Sequence, residues 1–171
     1  MTITPAHRPR RSALYMPGSN ARALEKARKL PSDVLLLDLE DAVAPGEKAA
    51  ARELLMGEIA KGGYAPREVV VRINGFDTPW GADDLAAVAA LPAASAPDAL
   101  LLPKVESPAM LDDAADRLEK AGAPVELPLW AMMETPAGIL NVAEIARHPR
   151  LACLVMGTND LVKDMRAEHV P

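Results

Sequence analysis

Six short apolar runs, separated by longer helix-forming segments, constrain this 171-residue chain more than any other feature. The runs lie at Ser12–Tyr15, Asp33–Leu39, Glu68–Asn74, Ala99–Pro103, Leu127–Met133 and Leu151–Met156. Several are continuous rather than alternating, as strands covered on both faces should be. Between them, Asn20–Leu30, Glu47–Lys61, Gly81–Leu91, Pro108–Ala121 and Gly138–Arg147 are rich in good helix formers. Ser107 before Pro108 predicts an N-cap with proline in the first turn, and Gly62–Gly63 and Gly122 predict helix stops. This order predicts a parallel α/β fold, with residues 1–171 forming a single domain.

In such folds ligands gather beyond the carboxyl ends of the strands. Here those ends carry Pro17–Gly18, Asp38–Glu40–Asp41, Arg72–Asn74, Lys104–Glu106, Glu134–Thr135 and Asn159–Asp160. Polar and turn-forming residues at all six exits exceed what folding alone requires. Each also has a plainer reading. Asp38, Glu40, Asp41 and Asp160 could cap helices, and Lys104 and Glu106 could pair with neighbours. Arg72, inside VVVRING, needs a carboxylate partner, so a structural salt bridge competes with a ligand role. Glu134 ends LPLWAMME, a run with no other charge, which points to a metal or a proton transfer, with a helix cap as the plainer alternative.

Taken together the carboxylates suit a hard cation. Mg²⁺ prefers oxygen ligands and often keeps several waters beside one or two carboxylates. Glu134 and Asp160 leave adjacent predicted strands, so both can reach one ion, with Glu40 and Asp41 hydrogen-bonding its waters. Zinc fits less well: Cys153 lies in a predicted strand, and His7, His148 and His169 lack zinc-like spacing.

Composition excludes other classes. A formal charge of −5 and 3% aromatic content leave no basic face or stacking platform for nucleic acid. The chain holds no GxxxxGK[ST], GxGxxG or GxSxG motif. A single cysteine permits no intrachain disulfide and fits a reducing compartment. No signal-peptide core or membrane-length apolar stretch occurs, so the expectation is a soluble, cytoplasmic protein without a membrane partner.

RSALYMPGS, LLLDLEDAVAPGEKAAAR, VVVRING, LLLPKVES, AMMETPAGI and GTNDL, in this order from about Arg11 to Asp164, resemble the citrate lyase β-subunit-like proteins. These belong to the wider HpcH/HpaI aldolase and malyl-CoA lyase group. The resemblance implies a TIM (β/α)8 barrel, of which this chain supplies about six βα units, and a bound Mg²⁺, with Mn²⁺ as a substitute. It implies metal ligands at Glu134 and Asp160, and Glu40 and Asp41 as the acidic pair near the metal's waters. Arg72 would contact substrate oxygens as the catalytic arginine, and the Gly157–Thr158–Asn159 backbone would suit a keto-acid carboxylate.

The implied activity is a C–C lyase acting on a 3-hydroxyacyl-CoA thioester of malyl, citramalyl or citryl type, giving an acyl-CoA and a 2-oxo acid. A thioesterase is one alternative, and a non-catalytic metal- or CoA-binding or assembly module is another. The resemblance also implies two further strands and a C-terminal lid with a catalytic aspartate, which no residue here matches; a full barrel typically takes about 250 residues. Unclosed first and sixth strands invite association. A homo-oligomer (a trimer or multiple) with weak or no lyase activity is therefore expected.

Overall fold

The computed structural model describes residues 8–123 and 127–168. Each apolar run forms a strand: β1 Ala13–Pro17, β2 Val34–Asp38, β3 Glu68–Arg72, β4 Ala99–Leu102, β5 Leu129–Met133 and β6 Leu151–Met156. Bounds shift from expectation by at most two residues at each end. All neighbours pair in parallel, in the order β1-β2-β3-β4-β5-β6, and the sheet curls into a partial TIM-barrel-like half-barrel. Every residue of β2, β3, β4 and β5 is buried. Continuous apolarity is the sequence trace of that two-sided cover.

The helices are α1 Ala21–Ala27, α2 Lys48–Lys61, α3 Gly81–Ala89, α4 Pro108–Lys120, α5 Pro136–Leu140, α6 Val142–Ile145 and α7 Thr158–Asp164. α2 buries Ala51, Leu55 and Ile59, and α4 buries Leu111, Ala114 and Leu118, a three-to-four-residue spacing that sets one stripe against the sheet. Gly62 and Gly122, at φ 69° and 76°, follow α2 and α4 with the positive φ that glycine adopts freely where a chain leaves a helix. Ser107 takes the N-cap position of α4, but its side chain makes no capping hydrogen bond. The single helix expected over Gly138–Arg147 is instead two short ones. Thr135 Oγ1 accepts the Gly138 N–H at 3.1 Å and starts α5 earlier. Asn141, at φ −95° and ψ 4°, interrupts the run, and its amide donates to Glu106 O at 2.9 Å.

A large core lies between the helices and the outer sheet face. A smaller cluster of Val34, Leu36, Val70, Ala99, Leu101, Trp130 and Met132 fills the inner face. Side chains alternate faces along a strand. The inner series Val34–Leu36, Val70 and Trp130–Met132 therefore continues into Asp38, Arg72 and Glu134. The inner face is apolar at mid-barrel and charged at its carboxyl end, where the candidate site lies.

Candidate active site at the carboxyl ends of the strands

Parallel pairing sets Asp38 directly beside Arg72. Arg72 Nε donates to Asp38 Oδ1 at 2.7 Å and Arg72 Nη2 to Asp38 Oδ2 at 2.6 Å, a two-pronged pair in which both residues are buried. The same carboxylate accepts the backbone N–H groups of Glu40 at 2.8 Å and Ala42 at 3.0 Å, which folds the β2 exit back over it. The third prong, Arg72 Nη1, stands 2.7 Å from Glu40 Oε2 and 3.3 Å from Asp41 Oδ2. The guanidinium also lies 5.1 Å from the centre of the Tyr15 ring. Hydrogen bonds to Asp38 and the field of Glu40 outweigh desolvation and raise the Arg72 pKa, so its charge is permanent.

A second network holds the same loop from behind. Buried Lys48 of α2 donates to Leu39 O at 2.8 Å, Glu40 O at 2.6 Å and Asn74 Oδ1 at 2.7 Å. All three ammonium donors are used. The Asn74 side-chain amide donates to Leu39 O and to Asp84, which in turn accepts from Arg52 at 2.7 Å. The acidic β2 exit is thus compensated by Arg72 directly and by Lys48 through its carbonyl oxygens. Nothing in the sequence marked Lys48 for this role.

Glu134, at the β5 exit, is treated differently. It is 2% exposed, and Oε1 accepts one hydrogen bond, from the Lys104 N–H at 2.8 Å. Burial pushes its pKa up, and repulsion from Asp160 adds to the rise. Gly157 lets β6 pass close by: a Cβ there would sit 2.5 Å from Glu134 Oε2 and 2.6 Å from Glu134 Cβ. Asp160 lies in the first turn of α7, its side chain 30% exposed. Glu40 completes the acidic set. Burial pushes its carboxyl up to about 7, and Arg72 only partly offsets that. Glu40 Oε2 is buried and ion-paired with Arg72 Nη1 at 2.7 Å.

Lys104 links these acids. Its backbone takes the uncommon φ of 50°, its N–H serves Glu134, and its Nζ stands 3.5 Å from Glu40 Oε1 and 3.7 Å from Asp160 Oδ2. Desolvation opposes its charge, but Glu40 and Asp160 outweigh it and raise its pKa. Sequence reasoning expected Lys104 to pair with neighbours. It does, but with two acids of the site, and its strand-exit position was the available signal.

A cleft of about 440 Å³ collects Arg72, Glu134, Gly157, Thr158, Asn159 and Asp160, together with Tyr15, Asp38 and Asp41. Every expected site residue therefore lines this cleft except Glu40. That residue lines an adjoining cavity of about 580 Å³, along with Lys104. Among the described residues, no three His, Cys, Asp or Glu side chains converge into a ready metal cage. A few carboxylate oxygens with room for water fit a hard cation that keeps part of its hydration shell. The sparsely bonded Glu134 fits it as well. Cys153 is a free, half-buried thiol in β6, and His148 lies 3.1 Å from Asp112, so neither joins the site. His7 and His169 lie outside the described residues. No helix of the described residues is long and apolar enough to cross a membrane.

Known proteins resemble this chain in sequence and in fold. The chain is similar to a (3S)-malyl-CoA thioesterase of Cereibacter sphaeroides, 50% identical over 163 residues that cover 95% of this chain and 54% of that protein. It is 36% identical over 170 residues to the citrate lyase subunit beta of Escherichia coli, covering 96% of this chain and 55% of that one. In fold it matches a citrate lyase beta subunit of Mycobacterium tuberculosis complexed with oxaloacetate and magnesium. That match has a TM-score of 0.75 and 29% identity, over 98% of this chain and 66% of the other. The chain thus spans about half the length of the curated relatives it matches. The family model for HpcH/HpaI aldolase/citrate lyase matches residues 11–171, and the chain belongs to that family.

Proposed function

We propose that this cleft is the Mg²⁺-dependent site of an enzyme acting on a 3-hydroxyacyl-CoA thioester of malyl, citramalyl or citryl type. The sparsely bonded pair Glu134 and Asp160, facing a cleft that also holds Arg72, is the observation that carries the reading. Glu134 and Asp160 would hold the ion, with Glu40 and Asp41 placed toward its waters; Mn²⁺ would serve too. The bound ion would supply Lewis-acid stabilisation of negative charge on a substrate oxygen. Arg72, fixed by Asp38 and with Nη1 against Glu40 and Asp41, would lend a preorganised positive charge to the same region. The N–H groups at Gly157–Asn159 would orient a carboxylate of the 2-oxo acid.

C–C cleavage to an acyl-CoA and a 2-oxo acid is the first reading of the chemistry. A second is favoured by the 50% identity to a thioesterase, against 36% to a citrate lyase subunit: hydrolysis of the thioester. Incubation of the chain with malyl-CoA and Mg²⁺ separates them. Glyoxylate and acetyl-CoA mark the lyase, malate with free CoA marks the thioesterase, and binding without product marks a non-catalytic module.

We extend the proposal to a cytoplasmic homo-oligomer, a trimer or multiple. β1 and β6 do not pair with each other, and β6 exposes Leu154 and Met156. A monomer in light scattering would overturn that part.

A further inference from the structure

Among the described residues, Lys104 is the one cation that touches both halves of the candidate metal site. Its ammonium lies within 4 Å of Glu40 and of Asp160, from opposite exits of the sheet, while its own N–H anchors Glu134. Neither ammonium contact is close enough for a hydrogen bond, which makes this a loose electrostatic pairing. The side chain is half exposed and lines the larger, 580 Å³ cavity. That cavity also carries Glu106, Asp113 and Asp77, so the ammonium has room to withdraw and acids to withdraw toward.

Resting on the metal-site reading above, we propose that Lys104 is a displaceable counter-cation: its ammonium holds the Glu40–Asp160 gap and leaves for the larger cavity when a divalent cation binds. The physical case is charge balance. Glu134 and Asp160 line one cleft and Glu40 the cavity beside it, and Lys104 stands between them, its ammonium 3.5 Å from Glu40 and 3.7 Å from Asp160. A single positive charge beside them lowers their repulsion when no ion is bound. The same charge, left in place, would repel a divalent cation bound to the same acids. A tethered lysine satisfies both demands only by moving. The fixed pair Arg72–Asp38 cannot do this, because its prongs are engaged on both sides.

Mn²⁺ binding to the full chain, followed by calorimetry and by electron paramagnetic resonance, tests the exchange. Lys104→Met should bind Mn²⁺ about tenfold tighter than wild type, a modest figure because the ammonium is half solvated. Lys104→Gly, which also suits the positive φ, should tighten binding similarly and covers the case in which the methionine variant fails to fold. Lys104→Arg, which keeps the charge, should not tighten it. Without metal, Lys104→Met should melt below wild type, and saturating Mn²⁺ should narrow that gap. Equal or weaker affinity in both the Met and Gly variants would overturn the counter-cation while leaving the metal site standing. Mn²⁺ binding that survives Glu134→Gln, or no binding by any variant, would overturn the metal site and the proposal with it.

Discussion

Asp38 and Glu134 end neighbouring halves of one half-barrel, are 1% and 2% exposed, and meet opposite treatment. Asp38 accepts four hydrogen bonds, two from Arg72 and two from the backbone of its own exit loop. Glu134 accepts one, from the Lys104 N–H. A buried carboxylate with four donors has its lone pairs filled and its charge matched. One with a single donor keeps coordinating capacity and pays for its burial in a raised pKa. The β2–β3 side is therefore built to hold its shape, and the β5–β6 side keeps acceptor capacity unfilled.

The largest expected effect breaks the first half of this contrast. Asp38→Ala strands Arg72 without its two-pronged partner and frees the β2 exit loop. Losing one partner of a buried pair costs about 3–5 kcal/mol, so urea denaturation should show a midpoint well below wild type. A shift within the error of wild type would mean that Glu40 and Asp41 hold Arg72 unaided. The contrast would then fail.

Gly157→Ala comes next. The added Cβ meets Glu134 Cβ, which cannot swing aside as a carboxylate oxygen can. The clash should cost about 1–3 kcal/mol, as overpacking does, and weaken Mn²⁺ binding by moving Glu134. Unaltered metal affinity would detach Gly157 from the site.

Glu134→Gln should change stability least of the three, within about 1 kcal/mol of wild type, because it removes a charge that burial disfavours and keeps an acceptor for the Lys104 N–H. Mn²⁺ binding should disappear nonetheless. A stability loss as large as that of Asp38→Ala would put both carboxylates in the same structural class.

These distinctions show where the sequence was legible. The strands were readable because burial on both faces leaves continuous apolar runs, as in VLLLD and ALLL. The exits were readable because a charge at the end of a buried run demands a partner of some kind. Which charges pair was not readable. Asp38 meets Arg72 only through the β2–β3 register, which joins residues 34 apart. Lys48 opens α2 like any surface lysine, and only the fold turns it inward onto the Leu39 and Glu40 carbonyls. The break in the Gly138–Arg147 helix arose from a tertiary contact, Asn141 to Glu106, that no local propensity records.

The smallest effect sharpens the comparison along β2 itself, whose two ends carry acids of unlike kind. Asp33, just before the strand, accepts the Arg11 guanidinium at 2.9 and 3.0 Å and the Arg11 N–H at 2.9 Å, at the surface rather than in the core. Hydrogen bonding to Arg11 lowers its pKa from the ordinary 3.8 to about 2. A folded pKa below the unfolded one means that the unfolded chain binds the extra proton first. The pair's contribution is therefore complete above about pH 4 and fades as pH falls through about 2. Solvent screens so exposed a pair, so its share of stability is small even when complete. Asp33→Asn should run parallel to wild type in stability from pH 5 to 7 and converge with it near pH 2 to 3, read by urea midpoints at each pH. At neutral pH it should lose far less than Asp38→Ala. A loss as large as that of Asp38→Ala would show that the guanidinium–carboxylate geometry sets the stabilisation of β2, and not the burial that separates its two ends.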